Sequence, residues 1–327
     1  MIELNHTRNW EKNSNELLNY LNSGTLIPQP KVINFYIPSF IPLKTKYYKT
    51  IPNLFQTYSI TGKQCMLKCK HCEGKILGSM QPTITPKSLY QAAYTLKKEG
   101  GIGCLISGGC QIDGSIPLAQ FLPTIARIKN ELDLEVFVHT GIINLETAKK
   151  LKKAKIDLAL IDVIGSENTL GKLDNKLKLI DYKNSLKALQ KAGVKFVPHI
   201  IVGLNNGKLE GEFNSLRIIS STKPSAIVII AFIPIKGTNM EKFQTSDPKD
   251  VAKVLVATRL TFPKTGIALG CMRQKGKERK TIEFYALKAG VDAIAFPSEE
   301  IISYAKSQDY KIVFHYSCCA QIYSEFL

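Results

Sequence analysis

Residues 57–72 read TYSITGKQCMLKCKHC: a short β-branched run, a glycine turn, then three cysteines within eight residues. The same order of apolar run, loop and helix-period segment recurs along the chain. The strand candidates are Thr57–Thr61, Cys104–Ser107, Glu135–Thr140, Leu158–Val163, Phe196–Val202, Ala226–Phe232, Gly266–Cys271 and Asp292–Phe296. They are apolar throughout rather than alternating, as parallel strands covered on both faces are. Helical segments fall between them. The clearest start is Thr85-Pro86, an N-cap threonine followed by a first-turn proline. Eight βα units in about 250 residues predict an α/β fold, a (β/α)8 TIM-type barrel. An open doubly wound sheet is the alternative. The boundaries read as an N-terminal helix and extended wrap over residues 1–56, a barrel over 57–298, and a last helix with a C-terminal cap segment over 299–327.

Composition excludes several classes. With 44% hydrophobic and 22% charged residues, the chain of 327 is an ordinary globular sequence. No apolar run approaches the roughly 18 residues of a membrane span, so no membrane partner is expected. The first residues show no signal-peptide core, and a cytoplasmic location is the expectation. The net charge is +17, from 44 Lys+Arg against 27 Asp+Glu. That balance suits an acidic protein surface. Nucleic acid is disfavoured, because no basic stretch carries interleaved aromatics. Lys149, Lys150, Lys152, Lys153 and Lys155 read as a solvated helix face.

The eight cysteines are Cys65, Cys69, Cys72, Cys104, Cys110, Cys271, Cys318 and Cys319. In a cytoplasmic chain they are not a disulfide framework. Cys65, Cys69 and Cys72 follow the first strand and can hold one metal centre. Zinc would need a fourth ligand, and His71 is the only near candidate. Three thiolates on a four-iron cluster leave one iron open to bind a small molecule.

CxxxCxxC in the loop after the first strand of a βα barrel resembles the radical S-adenosylmethionine (SAM) enzymes. The resemblance implies that Cys65, Cys69 and Cys72 bind a [4Fe–4S] cluster whose open iron takes the amino and carboxylate groups of SAM. One electron then cleaves SAM to methionine and a 5′-deoxyadenosyl radical. It places His71 by the adenine. Ser107-Gly108-Gly109-Cys110 stands where the family has a Gly-Gly-Glu-like stretch, with Cys110 replacing the acid. At later strand ends, His139, Asp162 and Gly203 fall where the family touches methionine and ribose. The bland readings are a satisfied core histidine, a loop cap and turn punctuation.

Cys104 lies within a strand and reads as core. Cys110 and Cys271 sit at the ends of strands two and seven, which share the mouth of a barrel. Cys318 and Cys319 lie on a tail expected to fold over that mouth. These four are the expected ligands of a second cluster, with Cys104 in reserve; scattered buried thiols are the alternative. Two clusters in one barrel resemble the sulfur-inserting radical SAM enzymes. Residues 57–300 are similar to biotin synthase, although Phe137 and Val197 stand where its second-cluster cysteines lie, and Arg273 falls near its arginine ligand. FYIPSF, SGGC, PHIIVGL, IPIKGTNME, LGCMR and the terminal Cys-Cys resemble a mainly archaeal, biotin-synthase-like group, one component of a two-component lipoyl synthase. That resemblance implies sulfur insertion into a protein-bound octanoyl chain. The implied partners are a second lipoyl synthase subunit, an octanoylated lipoyl domain or glycine-cleavage H protein, and a ferredoxin-like reductant.

Overall fold

The computed structural model describes Trp10, residues 14–23 and residues 31–326. Eleven strands form one sheet: β1 (Val32–Tyr36), β2 (Phe55–Ser59), β3 (Gln81–Pro82), β4 (Gly103–Ser107), β5 (Glu135–His139), β6 (Leu158–Asp162), β7 (Phe196–Val202), β8 (Ala226–Ala231), β9 (Gly266–Leu269), β10 (Ala293–Ala295) and β11 (Lys311–His315). Their order is β11-β1-β10-β9-β8-β7-β6-β5-β4-β2-β3, and every pairing is parallel. The helices are α1 (Glu16–Ser23), α2 (Pro86–Lys98), α3 (Leu122–Leu132), α4 (Leu145–Lys153), α5 (Glu167–Lys172), α6 (Leu179–Lys191), α7 (Glu212–Ser220), α8 (Pro248–Thr261), α9 (Gly276–Lys288) and α10 (Glu299–Ser307). The fold is the expected α/β, TIM-like barrel architecture. All eight expected strands are present, the first shifted to Phe55–Ser59. Thr85 caps α2 by accepting from Ser88 N, with Pro86 at the first position.

The sheet curls on itself. Tyr36, near one end of the strand order, and Phe55, near the other, share one buried cluster with Phe137, Leu160, Val197, Val228 and Ala268. These residues face the lumen, while alternate residues such as Ile33, Phe35, Val136 and Ile200 pack under the helices. No ladder pairs β1 with β2. Ser39 Oγ instead accepts a hydrogen bond from Phe55 N at 3.0 Å and bridges the gap.

Two segments differ from the expectation. The leader does not only wrap the barrel: Val32–Tyr36 enters the sheet between β10 and β11. Its run is apolar on both faces, so a surface position would leave Ile33 and Phe35 in water, at about 1.5–3 kcal/mol each. The tail leaves β11 at the mouth end, where Ser317 and Cys318 follow His315, and then runs down the lumen rather than lying over the mouth. After β11 it forms a 3₁₀ helix, Cys319–Phe326, whose Cys319, Ala320, Ile322 and Tyr323 join the lumen cluster. Gln321 Nε2 donates to Glu135 at 2.6 Å, Tyr323 packs on Phe137, and Phe326 lies against Gly266. Glu135 and Gly266 open β5 and β9, so the tail plugs the end of the barrel opposite the mouth. Its Ile322, Tyr323 and Phe326 supply apolar bulk that small residues such as Ala226, Ala268 and Ala293 leave unfilled. Of the expected N-terminal helix and wrap, residues 1–9, 11–13 and 24–30 lie outside the described residues. Among the described residues no helix is long and apolar enough to cross a membrane.

Candidate active site

The loop after β2 carries Cys65, Cys69 and Cys72 at the mouth. Glu73 N and Cys72 N both donate to Cys69 O, at 2.8 and 3.0 Å. Lys68 and Glu73 flank this turn with φ of 46° and 47°. Left-handed residues at both ends cost energy and persist where the surroundings enforce them. Lys70 N donates to Leu173 O at 3.0 Å, and Asn175 Nδ2 approaches Cys69 Sγ at 3.5 Å. The loop is therefore held from the segment after α5 as well as from its own strand.

Gly109 explains part of the Gly-Gly pair. A Cβ there would stand 2.0 Å from Gln64 O and 2.6 Å from Cys65 Cα. The cysteine loop lies directly on this backbone, and only glycine admits it. Gly109 N donates to Thr61 Oγ1 at 2.7 Å, and Met66 N to Cys110 O at 2.8 Å. Ser107 ends β4 in register with Ser59. Cys110 is thereby set beside Cys65. A hydrogen bond from the Cys110 thiol holds Cys65 down at about 5 against the effect of burial, with backbone groups of Lys68 and Leu67 adding to it. Cys69 is pushed up to about 12 by burial and by Cys72 and Cys65.

These three sulfurs fit an iron–sulfur cluster. Burial and the neighbouring cysteines disfavour charge on Cys69, and a cationic metal centre removes that repulsion. Among the described residues no three His, Cys, Asp or Glu side chains converge tightly enough for a single metal ion. A [4Fe–4S] cluster can be held by the three thiolates this loop supplies, whereas a structural zinc site takes four ligands.

Across the mouth, His139 Nε2 lies 3.4 Å from Asp162. His199 is the register partner of Asp162 on the next strand. Burial would raise the Asp162 carboxyl, but His139, His199 and His71 together draw it down to about 2. Burial lowers His199 to about 4 and also lowers His71. The Nδ1 atoms of both rings are buried without a partner. His71, His139 and Asp162 thus lie in one neighbourhood, and His199 joins them. The sequence signal for His199 was a polar residue on the inward parity of β7, between Val197 and Ile201. Gly203 has a structural reason of its own: at φ +88° a Cβ would meet Ser246 at 2.8 Å, and its N–H donates to Glu212 at 2.8 Å.

The other cysteines divide. Cys271, Cys318 and Cys319 gather on the lumen cluster, where Cys319 is buried. Cys318 and Cys319 share a hydrogen bond that favours the thiolate on Cys318, and Cys271, pushed up to about 11 by burial, senses Cys318. Cys110 is not with them; it belongs to Cys65. Cys104 lies on the helix-facing side of β4 and is fully buried there, so the reserve ligand faces away from the lumen. Arg273 is also buried, bonded to Gly270 O, Ala295 O and Glu283.

The Radical SAM superfamily pattern matches residues 59–210, and the Biotin and Thiamin Synthesis associated domain matches 229–317. Biotin synthase of Leptospira interrogans is 23% identical over 260 residues, 75% of this chain and 72% of that one. Biotin synthase of Buchnera aphidicola subsp. Schizaphis graminum is 26% identical over 249 residues, 73% and 70%. The crystal structure of methylornithine synthase shares the fold, with a TM-score of 0.60 at 15% identity over 100% of this chain and 94% of that one. The superfamily match implies a [4Fe–4S] cluster with SAM at the Cys65–Cys69–Cys72 loop. The chain is a radical SAM enzyme, a biotin-synthase-like member of that superfamily.

Proposed function

We propose that this radical SAM enzyme is a sulfurtransferase, one component of a lipoyl synthase acting on a protein-bound octanoyl chain. The observation that carries the reading is the second thiol set, Cys271, Cys318 and Cys319, gathered in the lumen apart from the cysteine loop. When bound, the [4Fe–4S] cluster and SAM supply a 5′-deoxyadenosyl radical that takes a hydrogen atom from C6 or C8. This chain's residues do the rest. Cys65, Cys69 and Cys72 hold the cluster; His71, His139 and Asp162 line the SAM side of the mouth. The tail seals the far end of the barrel and excludes water from the reacting carbon. Sulfur would come from a second iron–sulfur centre on the lumen thiols.

The substrate arm would be a lysine of an octanoylated lipoyl domain or glycine-cleavage H protein. The +17 chain suits an acidic carrier. A second lipoyl synthase subunit would complete the dithiolation, with a ferredoxin-like reductant supplying electrons. The test incubates anaerobically reconstituted enzyme with SAM, reductant, partner subunit and octanoylated lipoyl domain. A mass gain for sulfur on the octanoyl-lysine supports the reading; cleaved SAM with an unchanged octanoyl-lysine refutes it.

The biotin synthase relatives favour a second reading, biotin-type thiolation of a free small molecule. Phe137 and Val197 face the lumen as packed apolar residues, where the resemblance would require cysteines. Product mass separates the two.

A further inference from the structure

Tyr36 OH, Ser317 Oγ and Arg273 Nε are buried polar atoms without a hydrogen-bond partner. Buried donors in folded proteins are paired in the great majority of cases, and an unpaired one costs the folded chain free energy. These three share a neighbourhood. Tyr36 and Cys319 belong to one lumen cluster, with Cys271 and Cys318 packed against it. Ser317 precedes Cys318, and Arg273 acts electrostatically on both Cys271 and Cys319. Three thiols and three unspent donors in one buried neighbourhood are the lining that an anionic, sulfur-rich group would use.

Tyr36 is the best placed of the three. It ends β1 and its side chain is fully buried. Its ring stacks on His315, with centroids 4.7 Å apart and planes 14° from parallel. His315 Nε2 is in turn paired with Asn34 Oδ1 at 2.8 Å, and Asn34 donates to Asp292 O at 3.2 Å. The phenol cannot swing out to find water. A phenol, with an ordinary pKa of about 10, is protonated at neutral pH and is therefore a donor.

We infer that Tyr36 is a positioning residue of the lumen site, its hydroxyl donating a hydrogen bond to a sulfur of a metal centre held by Cys271, Cys318 and Cys319. This rests on the second centre of the proposed function. A hydrogen bond to a cluster sulfur withdraws electron density and raises the reduction potential.

Tyr36→Phe tests it, with Ser317→Ala as the comparison. Metal-free Tyr36→Phe should melt at or above the wild-type temperature, because the substitution removes an unpaired polar atom. After anaerobic reconstitution with iron and sulfide the order should reverse, since only the wild type then has the bond to lose. In a Cys65/Cys69/Cys72→Ala background, where the lumen centre alone reports, Tyr36→Phe should keep about four irons and shift the potential negative. An unchanged potential with full iron overturns the inference. So does a shift in Ser317→Ala but not in Tyr36→Phe, or an equal loss of melting temperature with and without metal. Iron that never exceeds about four in the wild type overturns the second centre and this inference together.

Discussion

Glu135 accepts the side-chain amide of Gln321 at 2.6 Å, so the first residue of β5 grips the C-terminal tail from the closed end of the barrel. Tyr323 OH donates to the same carboxylate at 3.3 Å, and Lys195 lies over the Tyr323 ring at 5.3 Å. Glu135→Ala leaves the half-buried Gln321 amide and the Tyr323 hydroxyl without their acceptor, a loss of about 1–3 kcal/mol. The tail carries Cys318 and Cys319, so its loosening should reach the lumen thiols but not the cysteine loop. If the lumen thiols hold the proposed second centre, the reconstituted wild type should hold about eight irons and Glu135→Ala about four. SAM cleavage should persist. Loss of both centres in equal measure would show that the tail does not act locally.

Gly109 offers a sharper test of the first centre. Its missing Cβ is what lets Gln64 and Cys65 lie on the β4 turn. Gly109→Ala should displace the cysteine loop, abolish SAM cleavage and remove about four irons. The barrel core lies elsewhere, so circular dichroism should be unchanged. Gly78→Ala is the control, because nothing lies within 4 Å of its Cβ position. Normal SAM cleavage in Gly109→Ala would refute the argument from contact.

Much of this was legible in the sequence. Most of the eight barrel strands are largely apolar runs, and CxxxCxxC needs no tertiary information to be read. β1 was harder, because VINFY is short and isolated by prolines, and its partners β10 and β11 lie more than 250 residues away in the chain. The tail was misplaced for a related reason. Its cysteines point to a metal site, but Gln321 and Tyr323 carry the segment after them down to the closed end, through a glutamate 186 residues earlier. Spacing alone did not separate Cys110 from Cys271, since both follow a strand end; the Gly109 contact with Cys65 does.

The division of the cysteines predicts different results for single variants. Cys319→Ala should lower iron from about eight to about four and leave SAM cleavage intact. Cys110→Ala should keep the lumen centre, because Cys110 sits with Cys65. Cys104→Ala should change neither count; its cost is a small cavity under the helices. Iron analysis beside SAM cleavage distinguishes the three. Loss of the lumen centre in Cys110→Ala would restore a four-cysteine ligand set.

Glu283 contributes to the acid dependence of the barrel's stability. It is buried on α9 and bonded to Arg273, to Arg279 at 2.9 Å and to Ser298 N at 3.0 Å. Burial alone would raise its carboxyl, but Arg273 and Arg279 outweigh burial and hold it below the ordinary glutamate value. The folded state thus favours the ionised form. The resulting stability is present above the unfolded pKa of about 4.3 and is lost as pH falls through the lower folded value. Arg273 also binds Gly270 O and Ala295 O, so protonation of Glu283 frees the joint between the ends of β9 and β10. Glu283→Gln leaves two guanidinium groups without their counter-charge and should cost about 3–5 kcal/mol at neutral pH. Its stability should also be flatter than the wild type's in acid. Urea unfolding from pH 7 down to pH 3 checks both, and parallel curves for the two proteins would show that Glu283 carries none of the acid dependence.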